Sequence, residues 1–281
     1  ERYEVASEVS SPQAIILRSH NLNDEILPDW LTAIARAGAG VNNVPVSQCT
    51  KSGVVVFNTP GANANAVKEL VLTGLLLSCR GITQGINFID GLDCSVQPKE
   101  LAKQMEAQKK QFKGSELAGK TLGIVGLGAI GSMVADMALA LGMNVVGYDP
   151  AISVESAWRL SSRIQKMDNL TSLMTRSDYI SLHVPAIDAT RNMVNGENLS
   201  TAKSGSTLLN FSRGEIVDDE SIVSALNDGR LSKYVSDFPI PELIGRDNVI
   251  FTPHLGASTI EAEENCAVMA ADQLIDFLEN G

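Results

Sequence analysis

KTLGIVGLGAIG, residues 120–131, decides the architecture. Its apolar run 121–125 has the length and composition of a buried strand. Glycines follow at 126, 128 and 131, and an apolar segment of helical character runs over 132–141. In a strand–turn–helix of this kind, the first glycine permits the tight turn. The second lets a diphosphate approach the backbone, and the third lets the helix pack on the strand. The phosphates would lie at the helix N-terminus, where unpaired N–H groups and the helix dipole favour negative charge. Gly126, Gly128, Ala129, Ile130 and Gly131 are therefore candidate ligands of a dinucleotide.

A glycine turn alone is a weak signal, but its downstream context strengthens it. The next strand, 144–148, ends at Asp149, 18 residues beyond Gly131. A carboxylate there can accept both hydroxyls of the adenosine ribose and would repel a 2′-phosphate, so NAD is expected rather than NADP.

Outward from this loop, apolar runs of about five residues alternate with helix-period segments, which predicts parallel sheets covered by helices. Strands are predicted at 14–17, 54–57, 206–210 and 249–252, and a long apolar helix over 64–78. Residues 28–34 read as a helix start. Residues 98–112 read as an exposed, polar helix marking the crossing between two lobes. A last helix over 259–279 offers Ala262, Cys266, Val268, Met269, Leu274 and Leu278 as its apolar positions. The fold class is α/β, with two lobes of strand–helix units.

The chain has 281 residues, 44% of them hydrophobic, enough for two lobes of ordinary size. With 22 Lys and Arg against 33 Asp and Glu, its formal charge is −11. That charge argues against nucleic acid or an anionic membrane as partner. An anionic substrate would need local Arg or Lys against the global field. Cys49, Cys79, Cys94 and Cys266 have no metal-site spacing, so no metal is expected, and buried free thiols in a reducing compartment are predicted. The longest uncharged run, 121–135, is too short to span a bilayer. The expectation is a soluble, cytoplasmic protein. The chain opens on Glu1 rather than Met and is expected to be part of a longer protein.

Two further residues sit where open α/β sheets bind ligands, past the carboxyl ends of strands. His254 follows the run 249–252 and precedes Gly256, and Arg213 follows 206–210. A guanidinium can hold a carboxylate through two parallel hydrogen bonds. A structural histidine and a surface loop arginine are the alternatives. Arg18, Ser19 and Arg36 lie at ends of first-lobe strands, where they would be ligands of a phosphate or mere surface groups.

VGLGAIG (125–131), LHVPAIDATRNMVN (182–195), LLNFSRGEIVD (208–218) and TPHLGAST (252–259), in this order, resemble the D-2-hydroxyacid dehydrogenase family over nearly the whole chain. RAGAGVNN (36–43) with VVVFNTPGANANAVKEL (54–70) resemble the branch whose substrate carries a phosphate. The resemblance implies two flavodoxin- or Rossmann-like doubly wound lobes with a cleft between them. Residues 1–92 and 255–281 would form the substrate domain, and 93–254 the NAD domain. It implies Arg213, Glu242 and His254 as the catalytic set. His183, Val184, Pro185, Phe211, Ser212, Arg213, Asp237, His254 and Gly256 would join the glycine loop and Asp149 in holding NAD, with Asp237 on the nicotinamide carboxamide.

The backbone of Ala39, Gly40 and Val41 would cradle the substrate carboxylate. Around Glu242 the chain departs from the family pattern, reading SDFPIPEL (236–243), and Lys68 stands where a small residue is commoner. The implied partners are a small anionic, phosphorylated 2-hydroxy acid and further copies of the chain, as a homodimer or homotetramer. The implied chemistry has His254 take the C2 hydroxyl proton as hydride leaves for NAD. Rival readings are a reductase of hydroxypyruvate, glyoxylate or D-lactate, or an NAD-sensing protein like the family's corepressors.

Overall fold

The computed structural model describes residues 3–7 and 9–281. They divide into two compact units, Glu1–Ala66 with Ala257–Gly281, and Val67–Gly256.

In the first unit β1 (Ala14–Leu17), β2 (Ala33–Arg36) and β3 (Val55–Asn58) form a parallel sheet in that order, with α1 (Val46–Ser52) leading into β3. Residues 28–34 do not start a helix: they turn and enter β2. The reason is burial on both faces. Ile34 packs among Leu17, Leu22, Leu31, Val44 and Val54, while Ala33 and Ala35 face the opposite way. Period-two alternation places these side chains on opposite faces, and burial on both faces outweighs alanine's preference for helix.

Helix α2 (Ala64–Cys79) carries the chain into the second unit, followed by α3 (Ile82–Asp90), α4 (Pro98–Gln108) and a 3₁₀ turn at Lys109–Phe112. Then come β4 (Thr121–Val125), α5 (Ala129–Ala140), β5 (Asn144–Tyr148), α6 (Val154–Trp158), β6 (Gln165–Lys166) and α7 (Leu170–Arg176). The unit closes with β7 (Tyr179–Leu182), α8 (Gly196–Thr201), β8 (Ser206–Asn210), α9 (Asp219–Asn227), β9 (Leu231–Ser236) and β10 (Val249–Phe251). The strands are all parallel, in the order β10-β9-β8-β7-β4-β5-β6. Chain order reverses between β4 and β7, which makes the carboxyl ends of those strands the switch point where such sheets bind ligands.

One face of this sheet is covered by Val67, Val71 and Leu75 of α2 and Val134, Ala135 and Ala138 of α5, packed over Leu122, Ile124, Val145 and Leu209. The other buries Val125, Val146, Ile180, Leu182 and Leu208 against Leu173, Leu226 and Ile222. Each such aliphatic side chain contributes about 1.5–3 kcal/mol by leaving water. By these contacts α2 belongs with the second core, and the compact unit begins at Val67. The polar helix α4 is exposed, but α2, ahead of it, already packs into the second core.

The final helix, α10 (Ile260–Asn280), returns to the first unit. Ala262, Cys266, Ala270 and Leu274 form its buried stripe at four-residue spacing, and three of them cover Ala33, Ala35 and Ala37. Val268, read as an apolar position of that helix, is instead 60% exposed because it falls off this stripe, and Leu278, which continues the spacing into the last turn, is 37% exposed. The four thiols are free; Cys49, Cys79 and Cys266 are buried, whereas Cys94 is exposed. Among the described residues no helix is long and apolar enough to cross a membrane.

Candidate active and dinucleotide site

The glycine loop leaves β4 at Gly126, whose φ of +90° lies in the left-handed region. A Cβ there would come within 2.5 Å of the His183 carbonyl oxygen, and one on Gly131 within 1.9 Å of the Gly126 carbonyl oxygen. Gly128 is different: a Cβ on it would meet nothing within 4 Å. Two glycines thus close the turn and seat α5 on the strand, and the middle one leaves open backbone at the helix N-terminus. Ala129 and Ile130 begin α5 beside it. Asp149, at the end of β5, reaches back to this turn. Its carboxylate accepts the Leu127 and Ala151 N–H groups at 2.8 and 2.9 Å. A carboxylate has about four acceptor positions, so capacity for ribose hydroxyls remains.

At the end of β7, the His183 N–H donates to the Val125 carbonyl at 2.7 Å. Its Nε2 lies 2.9 Å from the Ser181 hydroxyl, while Nδ1 is buried without a hydrogen-bond partner. The residue keeps some surface, but its ring is enclosed, and that desolvation pushes its pKa down to about 4. A buried, unpaired, neutral ring nitrogen beside the glycine loop fits a polar ligand group. Val184 is half-buried against the same loop, within 2.8 Å of where a Gly126 Cβ would be, and Pro185 is exposed. The chain thus offers an open backbone cradle, a ribose-side carboxylate and an orphaned buried nitrogen, a donor set that suits NAD.

At the end of β8 the buried Asn210 shapes a sharp turn: its amide donates to the Arg213 carbonyl at 2.8 Å, and its Oδ1 accepts Ser212 N–H at 3.1 Å. The Ser212 hydroxyl donates to the Leu182 carbonyl at 2.6 Å, and Phe211 is buried. Arg213 is half-buried, and among the described residues its guanidinium donates only to the Ser212 carbonyl, at 2.6 Å. Most of its five donors remain free.

Past β9, Asp237 is buried and pairs with Asn210 through the backbone at 3.1 Å. Its carboxylate accepts the Thr252 hydroxyl and, at 2.7 Å, the Gly256 N–H. The His254 N–H donates to the Asp237 carbonyl at 3.2 Å. This grip holds His254 at φ +56°, a left-handed backbone that costs a histidine of order 1–3 kcal/mol. Such strain survives only where surrounding contacts over-determine it.

Phe238 packs against the His254 ring, centroids 5.0 Å apart and planes tilted by 60°, and lies 3.4 Å from the position of a Gly214 Cβ, so it links the Arg213 and His254 loops. Glu242, exposed on the 3₁₀ turn Pro241–Leu243, makes no hydrogen bond with His254. Its charge acts instead on Asp219, whose pKa is raised by burial first, then by Asp218 and Glu242. Sequence reading missed Asn210, Phe238 and Thr252. A polar residue ending the apolar strand STLLN was the one available hint.

In the first unit, Arg18, Arg36 and residues 38–41 meet at the carboxyl ends of β1 and β2. Arg36 Nε donates to the Arg18 carbonyl at 3.2 Å, and its head lies where a Gly38 Cβ would stand, 1.5 Å from Nη1. The Asn58 amide holds the Ala39 carbonyl at 2.7 Å, with Gly40 and Val41 following. Arg18 pairs with Glu263 at 3.1 Å, and Ser19 is exposed. His20 is exposed and lies 2.5 Å from Glu25, which leaves it a surface role.

A glycine loop at the switch point of an all-parallel sheet, with a carboxylate at the end of the next strand, defines a Rossmann-type dinucleotide-binding domain. Residues 92–256 match the model of the D-isomer specific 2-hydroxyacid dehydrogenase, NAD binding domain. The chain belongs to the D-isomer specific 2-hydroxyacid dehydrogenase family, and this stretch is its NAD-binding domain.

It is 37% identical over 284 residues to a D-3-phosphoglycerate dehydrogenase of Synechocystis sp., covering 98% of this chain and 48% of that protein. To a hydroxypyruvate reductase of Thermotoga maritima it is 36% identical over 258 residues, covering 88% and 78%. The chain spans about half the length of the phosphoglycerate dehydrogenases it matches. Among solved structures, NAD-bound 3-phosphoglycerate dehydrogenase of Entamoeba histolytica superposes with TM-score 0.75 at 28% identity, covering 96% of this chain and 80% of that one. A D-mandelate dehydrogenase of Rhodotorula graminis gives 0.81 at 26%, covering 94% and 79%.

Proposed function

We propose that the chain catalyses NAD-dependent oxidation of 3-phospho-D-glycerate to 3-phosphooxypyruvate, the entry step of serine biosynthesis. The observation that carries the dehydrogenase chemistry is the strained His254. It is clamped through Asp237 to the turn that presents Arg213 with its donors free. The substrate is argued from the relatives named D-3-phosphoglycerate dehydrogenase at 32–37% identity, and from Arg18 and Arg36 beside the 38–41 backbone.

NAD, when bound, supplies the hydride acceptor. His254 accepts the C2 hydroxyl proton, and in the reverse direction returns it. Arg213 holds the substrate carboxylate and stabilises negative charge on the C2 oxygen. Asn210 and Asp237 keep the two loops in register. Glu242 is assigned the role of favouring the protonated imidazole, which requires it to leave the surface position it occupies here. Arg36 binds the phosphate, with Arg18 joining once Glu263 releases it.

A second reading, reduction of hydroxypyruvate or a related 2-oxo acid, is favoured by that Arg18–Glu263 pair and by the 78% coverage of the hydroxypyruvate reductase. Turnover with 3-phosphoglycerate, measured beside hydroxypyruvate, glyoxylate, D-lactate and D-glycerate, separates the two. The proposal predicts a specificity constant for 3-phosphoglycerate at least tenfold above the unphosphorylated acids. A homodimer formed through α3 and α4 is consistent with the exposure of Ile86, Ile89 and Leu101, and sedimentation equilibrium tests it.

A further inference from the structure

At the opposite edge of the seven-stranded sheet, the amino ends of β4, β7, β8 and β9 border a cavity of about 570 Å³. That size suits a small metabolite. The dinucleotide loop lies at the other end of these strands, roughly 15 Å away for strands of four to six residues.

The cavity's lining holds four cations, Arg80, Lys113, Lys120 and Lys233, against one carboxylate, Asp178. Asp178 is already engaged, since it accepts the Thr121 N–H at 2.8 Å and the Lys203 ammonium at 2.5 Å. None of the four cations forms an ion pair or a side-chain hydrogen bond among the described residues. In a chain of net charge −11, this is a local inversion of sign.

Lys233 is the most telling of the four. It stands inside β9, paired in register with Thr207 of β8, and is half-buried. Burial pushes the pKa of its ammonium below the usual lysine value, with the nearby Cys79 thiol acting the other way. Holding such a charge from water without a counter-charge costs free energy. The carboxyl end of α2 supplies about half a negative charge, too little to balance four cations.

The wall is built rather than loose. A Cβ on Gly114 would lie 2.2 Å from the Cys79 carbonyl oxygen, and one on Gly81 2.8 Å from the Phe112 carbonyl oxygen. Ser115 N–H donates to that Cys79 carbonyl at 2.9 Å. Two backbone segments therefore run in direct contact, and this sets Arg80 and Lys113 on neighbouring loop segments of one wall.

We propose that this cavity binds a small phosphate-bearing polyanion through Arg80, Lys113, Lys120 and Lys233. A guanidinium fork with several compact ammonium groups matches the charge density and tetrahedral oxygens of phosphate better than a planar carboxylate. Inorganic phosphate, pyrophosphate and a phosphomonoester on a carbon skeleton share this chemistry.

The test is isothermal titration of NADH-saturated protein with inorganic phosphate, pyrophosphate, glycerol 3-phosphate and, as a phosphate-free polyanion, citrate. NADH saturation removes the glycine loop as a competing site. At least one phosphate compound is expected to bind, and which one is tightest identifies the source. Lys233→Met and Arg80→Met should each weaken that binding about tenfold or more, the loss typical of a charge-assisted hydrogen bond. The exposed Lys51→Met control and NADH affinity should stay within about twofold. Lys233→Met should keep or raise the melting temperature without phosphate and lose most of the rise that added pyrophosphate gives the unaltered chain. The proposal is overturned by absence of phosphate binding under NADH saturation. It is equally overturned by citrate binding as tightly, or by binding that both methionine variants leave intact.

Discussion

The two edges of the second unit's sheet handle polar groups in opposite ways. At the carboxyl edge, the buried Asn210 and Asp237 are tied to backbone and to neighbouring side chains. Asn210 shapes the Arg213 turn, and Asp237 holds Thr252 and Gly256. At the amino edge, the half-buried Lys233 and the exposed Arg80, Lys113 and Lys120 face a cavity whose one carboxylate, Asp178, is bonded to Lys203. The first arrangement positions reactive groups before any ligand arrives, at the cost of strain at His254. The second leaves the half-buried ammonium of Lys233 without an ion pair among the described residues until something binds. Positioning and binding thus use different physics within one sheet, and the two can be disturbed separately.

The largest expected effect is at the carboxyl edge. His254→Ala should lower kcat by about 10²–10⁴, with NADH affinity by fluorescence titration unchanged. Near-normal turnover would remove the strained histidine from the chemistry.

The glycine loop sharpens the contrast between shape and ligand. Gly131→Ala inserts a methyl 1.9 Å from a carbonyl oxygen and should destabilise by about 1–3 kcal/mol in urea unfolding. Gly128→Ala meets open space and should leave stability unchanged while weakening NADH binding at least tenfold. Equal effects of both variants on stability would contradict the assignment of the middle glycine to ligand approach.

His183 provides a pH test. Its pKa of about 4 in the fold lies below the free value of about 6.5, so the unfolded chain binds a proton that the native chain refuses between those pH values. This contribution is complete above pH ~6.5 and is lost as pH falls toward 4, by up to roughly 3 kcal/mol. His183→Asn should flatten that slope in urea titrations across the same range. The smallest effects are expected in the first unit. Arg36→Ala and Arg18→Ala should each raise KM by up to about tenfold for a phosphorylated substrate and little for its unphosphorylated counterpart.

How far the sequence could be read follows the range of the forces involved. The strand–glycine–helix unit, β5 and β8 were legible because local composition and burial agree there. Residues 28–34 were misread as a helix start because Ala33, Ile34 and Ala35 are strand only by virtue of two cores that distant segments complete. The exposed polar helix α4 stands out in composition, whereas the apolar stripe of α2 does not reveal in sequence which core it enters. Spacing alone indicated neither that Glu242 would lie near Asp219 nor that Phe238 would face His254. The amino-edge cavity was invisible for the same reason: Arg80, Lys113, Lys120 and Lys233 become neighbours only once the sheet has formed.

The return of α10 has a consequence for synthesis on the ribosome. Ala33, Ala35 and Ala37 are sealed by Cys266, Ala270 and Leu274, which emerge more than two hundred residues later. At about 5–20 residues per second, that apolar surface waits roughly ten to forty seconds for its cover. The contiguous second unit can complete its own core meanwhile, so the newborn chain passes through a half-finished stage in which its amino-terminal segment is the part exposed to chaperones.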